Sequence, residues 1–234
     1  MLNENTRSVL KSLGGIGNSA IIRYPLTSVL QLDKSLVAFV DLEALGENEF
    51  DEFGLYYMSE FLGLLDFYSN ADIQINNGIV DIKSAGSNQK YQTTDLDTME
   101  LFDIPSKVLD RIDGAQPIAE FELSKDDIDR FKKISTLAKV NSLVFESNAS
   151  NISAIICDVD ASGNYMNAST NMLDVSNVSE PIKIQLEMSN ISKLPSYNFK
   201  VKVIKNNETG NFISLWVAEE QPVKIIVAVT KSLI

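Results

Sequence analysis

The chain has 234 residues, a formal charge of −12, 44% hydrophobic and 22% charged residues. That balance belongs to a folded chain with room for one or two domains, and it excludes an intrinsically disordered one. The lone Cys157 allows no intrachain disulfide, and the absence of histidine removes Ser–His and Cys–His nucleophile pairs and imidazole metal sites.

The first residues, "MLNENTRSVLKSL", contain no cationic segment leading into an apolar one, so no signal peptide is expected. No apolar run approaches the ~20 residues that cross a bilayer, and the expected location is the cytoplasm. A helix is predicted over 6–14, with Val9, Leu10, Leu13 and Ile16 as its apolar stripe. Alternation then predicts strands at "SAIIRY", "SVLQLD" and "SLVAFVDL". The stretch "LEALGENEFDEFG", residues 42–54, reads as a solvated acidic loop or as an oxygen-ligand cation site. A helix over 59–69 precedes a hairpin from "ADIQIN" to "IVDIKS" through Asn77-Gly78.

Residues 101–121, with Pro105, Gly114 and Pro117, read as a connector. Beyond it come a helix over 125–139, strands at "SLVFES", "NISAIICDVD" and "IKIQLEM", and a turn or two of helix near 189–194. The strands "FKVKVIK", "FISLWVA" and "VKIIVAV" close the chain, the first two joined through "KNNETGNF". Cys157, in an apolar strand, reads as a buried thiol, and Trp216 as packing. No GxGxxG, GxxxxGK[ST], CxxC or EF-hand spacing occurs, so neither catalysis, metal nor cofactor is expected.

The same order of elements occurs twice. "NTRSVLKSLGGIGNSAIIRY" and, about 122 residues later, "IDRFKKISTLAKVNSLVFES" each read as cationic helix, Asn-Ser, strand. "FGLYYMSEFLGLLDFY" and "KIQLEMSNISKLPSYN" each read as a strand ending in Met-Ser, then a helix. A repeated supersecondary unit implies two similar α+β domains, 1–114 and 115–234, each with helices on antiparallel sheets. Residues 1–115 hold 8 cations and 18 anions, and residues 116–234 hold 12 and 14.

Positive charge is concentrated on the first helix of each repeat. "LSKDDIDRFKKISTLAK", residues 123–139, gathers five of the 20 cations. Ser124 is a good N-cap with Asp127 as its capping-box partner. Ile128, Phe131, Ser135 and Ala138 define a buried face, with Ile134 beside them; Lys132, Lys133 and Thr136 fall on the outer arc, flanked by Lys125 and Lys139. On the first helix Arg7 and Lys11 lie opposite the apolar stripe, and Glu4 and Asp129 share these arcs. Such faces attract phosphate without reading sequence. No aromatic residue is interleaved for base stacking, and an acidic remainder repels nucleic acid.

Together, the stretches "NENTRSVLKSLGGIGNSAII", "GLYYMSEFLGLLDFYSNADIQINNGIVDIKSA", "FELSKDDIDRFKKISTLAKVNSLVFES" and "LEMSNISKLPSYNFKVKVI" resemble the DNA sliding clamps of T-even-like tailed phages, distant relatives of proliferating-cell nuclear antigen. The resemblance covers most of the chain and rests on order and spacing rather than on a signature motif. It implies a homotrimeric ring of two-domain chains that encircles duplex DNA and tethers the replicative DNA polymerase, loaded by an ATP-dependent clamp loader and lacking an active site. Arg7, Lys11, Arg130, Lys132, Lys133, Lys139 and Lys193 are the DNA-facing candidates. Leu101, Phe102, Ile104, Pro105, Val108, Leu109, Pro222 and Val223 are candidates, by position, for a pocket that takes apolar partner peptides, and each also reads as core. Two alternatives stay open: a β-rich structural or assembly protein of a virion whose cationic helices are merely solvated, and a carboxylate- or metal-dependent enzyme.

Overall fold

In the computed structural model, Asn3 caps helix α1 (Glu4–Ser12): its side chain accepts the Thr6 N–H at 2.9 Å. All residues are described except 1, 69–71, 77, 85, 149–150, 161, 174, 207–208 and 234. Val9, Leu10, Leu13 and Ile16 are all buried, as the stripe required. Strands β1 (Ala20–Ile22), β2 (Leu26–Leu30), β3 (Leu36–Asp41) and β4 (Phe53–Leu55) follow, antiparallel throughout and ordered β3-β2-β1-β4. Gly17 leads into this sheet so closely that a Cβ there would collide with the Leu30 carbonyl oxygen. Helix α2 (Met58–Phe67) buries Met58, Phe61, Leu62 and Leu65. A three-stranded sheet of β5 (Asp72–Asn76), β6 (Ile79–Ser84) and β7 (Ser87–Gln92) completes the first unit with a 3₁₀ turn at Asp97–Phe102.

Helix α3 (Ser106–Asp113) is absent from the sequence reading, which took this segment as an irregular connector. The chain divides into two units, Met1–Ser106 and Lys107–Ile234, so the division precedes Gly114. The helix is tied to the second unit through Asp113, whose carboxylate receives Lys224 at 2.6 Å and Lys202 at 3.4 Å. Those contacts hold Asp113 below the usual carboxylate pKa, the Lys224 hydrogen bond contributing most.

The second unit begins with β8 (Ala119–Leu123) and α4 (Lys125–Ala138), then β9 (Ser142–Asn148), β10 (Asn151–Val159), β11 (Tyr165–Leu173), β12 (Val175–Val178) and β13 (Lys183–Glu187). Helix α5 (Met188–Ile191) precedes β14 (Phe199–Lys205), β15 (Phe212–Ala218), β16 (Val223–Ala228) and β17 (Lys231–Ser232). They form two five-stranded antiparallel layers, β12-β8-β14-β15-β16 and β11-β10-β9-β13-β17. Phe121, Phe145, Trp216 and Phe199 are fully buried, with successive ring centroids 4.7 to 6.2 Å apart. Trp216 also satisfies its indole N–H on the Ser214 hydroxyl at 3.2 Å.

Each expected strand is present. Asn77 of the first expected turn and Asn207 and Glu208 of the second lie outside the described residues; the flanking strands pair as Ile75↔Val80 and Val203↔Ser214. The polar edge strands β7, "SNQKYQ", and β11, "YMNASTNML", were missed because neither alternates apolar with polar residues. Cys157 is buried in β10, and burial raises its thiol pKa to about 11.

Candidate nucleic-acid interface

Each unit pairs its cationic helix with a second one, and a backbone contact between that unit's own Asn-Ser and Met-Ser motifs fixes the pairing. Met58 donates its N–H to the Asn18 carbonyl at 2.7 Å, and Met188 donates to the Asn141 carbonyl at 2.9 Å. The Asn-Ser and Met-Ser pairs of each repeat therefore meet where a strand gives way to the second helix. Met-Ser opens that helix in both units rather than ending a strand. In the first unit the Asn18 side chain goes further, accepting the Ser59 N–H at 2.8 Å and so capping α2.

The cations of α1 do not reach freely into solvent. Arg7, with only 19% of its side chain exposed, donates from Nη1 to the Leu65 carbonyl at 2.8 Å and lies 3.8 Å from Asp66 Oδ1. Its Nε is buried without a hydrogen-bond partner. Lys11 forms an ion pair with the other oxygen of Asp66. Two cations expected to face outward thus converge on one carboxylate of α2, which carries no cation in its last turn.

Helix α4 is arranged differently. Ser124 and Asp127 form the expected capping box, Ser124 accepting the Asp127 N–H and Asp127 accepting the Ser124 N–H, both at 3.1 Å. Ile128 and Phe131 are buried, but Ala138, assigned to that face, is exposed. Arg130, Lys133 and Lys139 are exposed; Arg130 reaches the Asn171 amide oxygen at 3.4 Å. Lys132 departs from the outer arc: it is half-buried and donates to the Leu194 carbonyl at 2.7 Å, and burial lowers its pKa. The reason is the packing of α4 beside α5, which covers the flank on which Lys132 stands. Lys193 lies beyond the end of α5 and is half-buried. Asp129 accepts a hydrogen bond from the Ser196 hydroxyl at 2.8 Å.

Lys139 ends α4 in the left-handed region, φ 56°, a conformation normally left to glycine. Helices α2 and α4 each expose a large apolar side chain, Phe67 at 79% and Leu137 at 75%. Their polar neighbours gave no signal of this in the sequence.

The pocket candidates separate by burial. Phe102, Leu109 and Val223 are buried and belong to the core, whereas Leu101 is 67% exposed and Pro105 and Val108 are exposed. Pro222 is half-buried. Ile104 lines a cleft of about 160 Å³ in the first unit with Tyr24, Pro25, Leu26 and Phe39. Arg23 closes its rim, bonded to Asp103 at 3.0 Å and to Glu52. The acidic stretch has a structural use that neither sequence reading foresaw. Glu47 accepts the Asn3 N–H at 2.6 Å and the Leu45 carbonyl accepts from the Asn3 side chain at 2.8 Å, which places an anion at the N-terminus of α1.

No protein-family model matches the chain. Over 170 residues it is 28% identical to the sliding clamp of Vibrio phage KVP40, covering 69% of this chain and 72% of that protein. In three dimensions it is similar to the proliferating cellular nuclear antigen of Entamoeba histolytica, with TM-score 0.66 and 13% identity over 97% of this chain and 95% of that one. The antigen of A. fulgidus, bound to the C-terminal region of FEN-1, aligns with TM-score 0.63 and 10% identity over 96% and 94%. The β subunit of DNA polymerase III from Pseudomonas aeruginosa aligns with TM-score 0.65 and 10% identity, covering 97% of this chain and 63% of the subunit. The fold is that of the DNA clamps, and the resemblance to the phage clamps read from the sequence is borne out.

Proposed function

We propose that this clamp-fold chain is a DNA sliding clamp: a non-catalytic ring that encircles duplex DNA without reading its sequence and tethers a replicative polymerase. The observation that carries this reading is α4, which in an acidic chain turns Arg130, Lys133 and Lys139 outward, with Asp129 among them hydrogen-bonded to Ser196. Phosphates held by three such surfaces gain counterion release, and the acidic remainder keeps DNA from lying elsewhere on the protein.

The ring is a homotrimer closed head-to-tail. Two strands present unpaired edges suited to this, β7 in the first unit and β11 in the second, and pairing between an edge of one copy and the other edge of the next closes the assembly without leaving either exposed. An ATP-dependent loader opens the ring, and the site of action is the host cytoplasm. Among the described residues, no helix is long and apolar enough to cross a membrane. Partner peptides dock on the first unit's exposed Leu101 and Pro105 and the cleft that Ile104 lines.

Sedimentation across a wide concentration range tests the assembly: the expected mass is that of three 25.9 kDa chains, and a strict monomer at high concentration overturns the ring. Retention on nicked circular DNA after loading, lost on linearisation, tests encirclement. Arg130→Glu with Lys133→Glu should leave the trimer mass unchanged and sharply reduce processive synthesis. Unchanged processivity removes α4 from the DNA-facing surface.

A further inference from the structure

The carboxylate of Asp66 is not explained by the helix that bears it. It stands in the last turn of α2, where the macrodipole disfavours an anion, and half of its side chain is exposed, at 49%. An ion pair so exposed adds little to stability. Yet both outward cations of α1 turn toward it: Lys11 is paired with one oxygen, and Arg7 lies 3.8 Å from the other while donating to the adjoining Leu65 carbonyl. Among the described residues the second unit has no counterpart. Helix α5, "MSNI", carries no acid, and Lys133 of α4 remains exposed.

Resting on the sliding-clamp reading above, we propose that Asp66 is an electrostatic brake on DNA binding. By neutralising Lys11 and holding back Arg7 it withholds the first unit's cations from phosphate and leaves the grip on DNA to α4. A ring that contacts phosphates through one helix of each chain is held loosely enough to move along the duplex, and Asp66 sets how loosely.

The test is binding of the assembled protein to a short fluorescent duplex, followed by anisotropy from 50 to 200 mM salt, with trimer mass and thermal midpoint as controls for folding. Asp66→Asn is expected to tighten binding at 50 mM salt by at least roughly threefold, the share of one phosphate contact, and to steepen the salt slope by about 1 for each cation engaged. Adding Lys11→Gln to Asp66→Asn should remove most of the gain. Wild-type affinity and slope in Asp66→Asn, with Arg130→Glu/Lys133→Glu still weakening binding, overturns the brake but not the clamp. If neither variant changes binding, both readings fail. Lysine acylation of the unmodified chain gives a reading free of mutational damage: DNA should protect Lys133 and leave Lys11 as reactive as before. Equal protection of both overturns the proposal.

Discussion

In the first unit, the cations of the leading helix end on an acid of its neighbour; in the second, the neighbouring helix carries no acid and the leading helix keeps Arg130, Lys133 and Lys139 in solvent, only Lys132 turning to a backbone carbonyl. The two units nonetheless share the Asn-to-Met backbone contact, the strand–helix order and the antiparallel layers. A duplicated scaffold thus tolerates opposite surface electrostatics, because the contacts that set the fold are backbone and core contacts while the charges stand on the free arc of the helix. The whole-chain imbalance follows the same division, −10 over residues 1–115 and −2 over 116–234.

Substitutions can break this parallel or sharpen it. The largest effect is expected in the aromatic core of the second unit, where Phe145 lies between Phe121 and Trp216. Phe145→Ala should cost about 3–5 kcal/mol in denaturant unfolding. Cys157, on the neighbouring strand, should then react with a thiol reagent at a denaturant concentration at which the wild type does not.

The shared backbone contact predicts a smaller, unequal pair. Asn18→Ala removes the side-chain oxygen that receives the Ser59 N–H and should cost about 1 kcal/mol. Asn141→Ala removes a residue whose backbone carbonyl makes the equivalent bond, so less than about 0.5 kcal/mol is expected, the usual range for an exposed position. Equal losses at the two sites would break the distinction.

At the C-terminus of α4, Lys139→Gly should stabilise the protein by about 0.5–1 kcal/mol by relieving the left-handed backbone, and at the same time weaken duplex binding. A loss of stability together with a loss of binding would make Lys139 a structural residue. The first unit offers no such opposition, since α1 ends on Leu13 in the right-handed region.

A small effect is also expected at the junction. Asp113→Asn should cost no more than about 1 kcal/mol at neutral pH, because Asp113 and Lys224 are each about one-third exposed, at 32% and 35%. The sign of its pH dependence is set by the lowered carboxyl pKa. The contribution is fully present above the ordinary value of 3.8 and fades as pH falls through the folded-state value below it. Unfolding curves of variant and wild type should therefore differ at pH 7 and converge below about pH 4.

The internal repeat, the apolar stripe of α1, the capping box of α4 and all the long alternating strands were readable in the sequence, because each depends on residues a few positions apart. Helix α3 was not, since proline and glycine at its ends resembled connector punctuation and its attachment comes from lysines about 90 and 110 positions away. Edge strands β7 and β11 carry polar residues on both faces, so a period of two never emerges. For the candidate interface, the sequence determined which helices carry positive charge and roughly which arc bears it. Only the tertiary structure decided which of those charges are available: Asp66, 55 positions from Lys11, and the Leu194 carbonyl, 62 from Lys132, lie beyond any helical period. Charge identity is a property of the residue, whereas its availability depends on the partner that folding brings within a few ångströms.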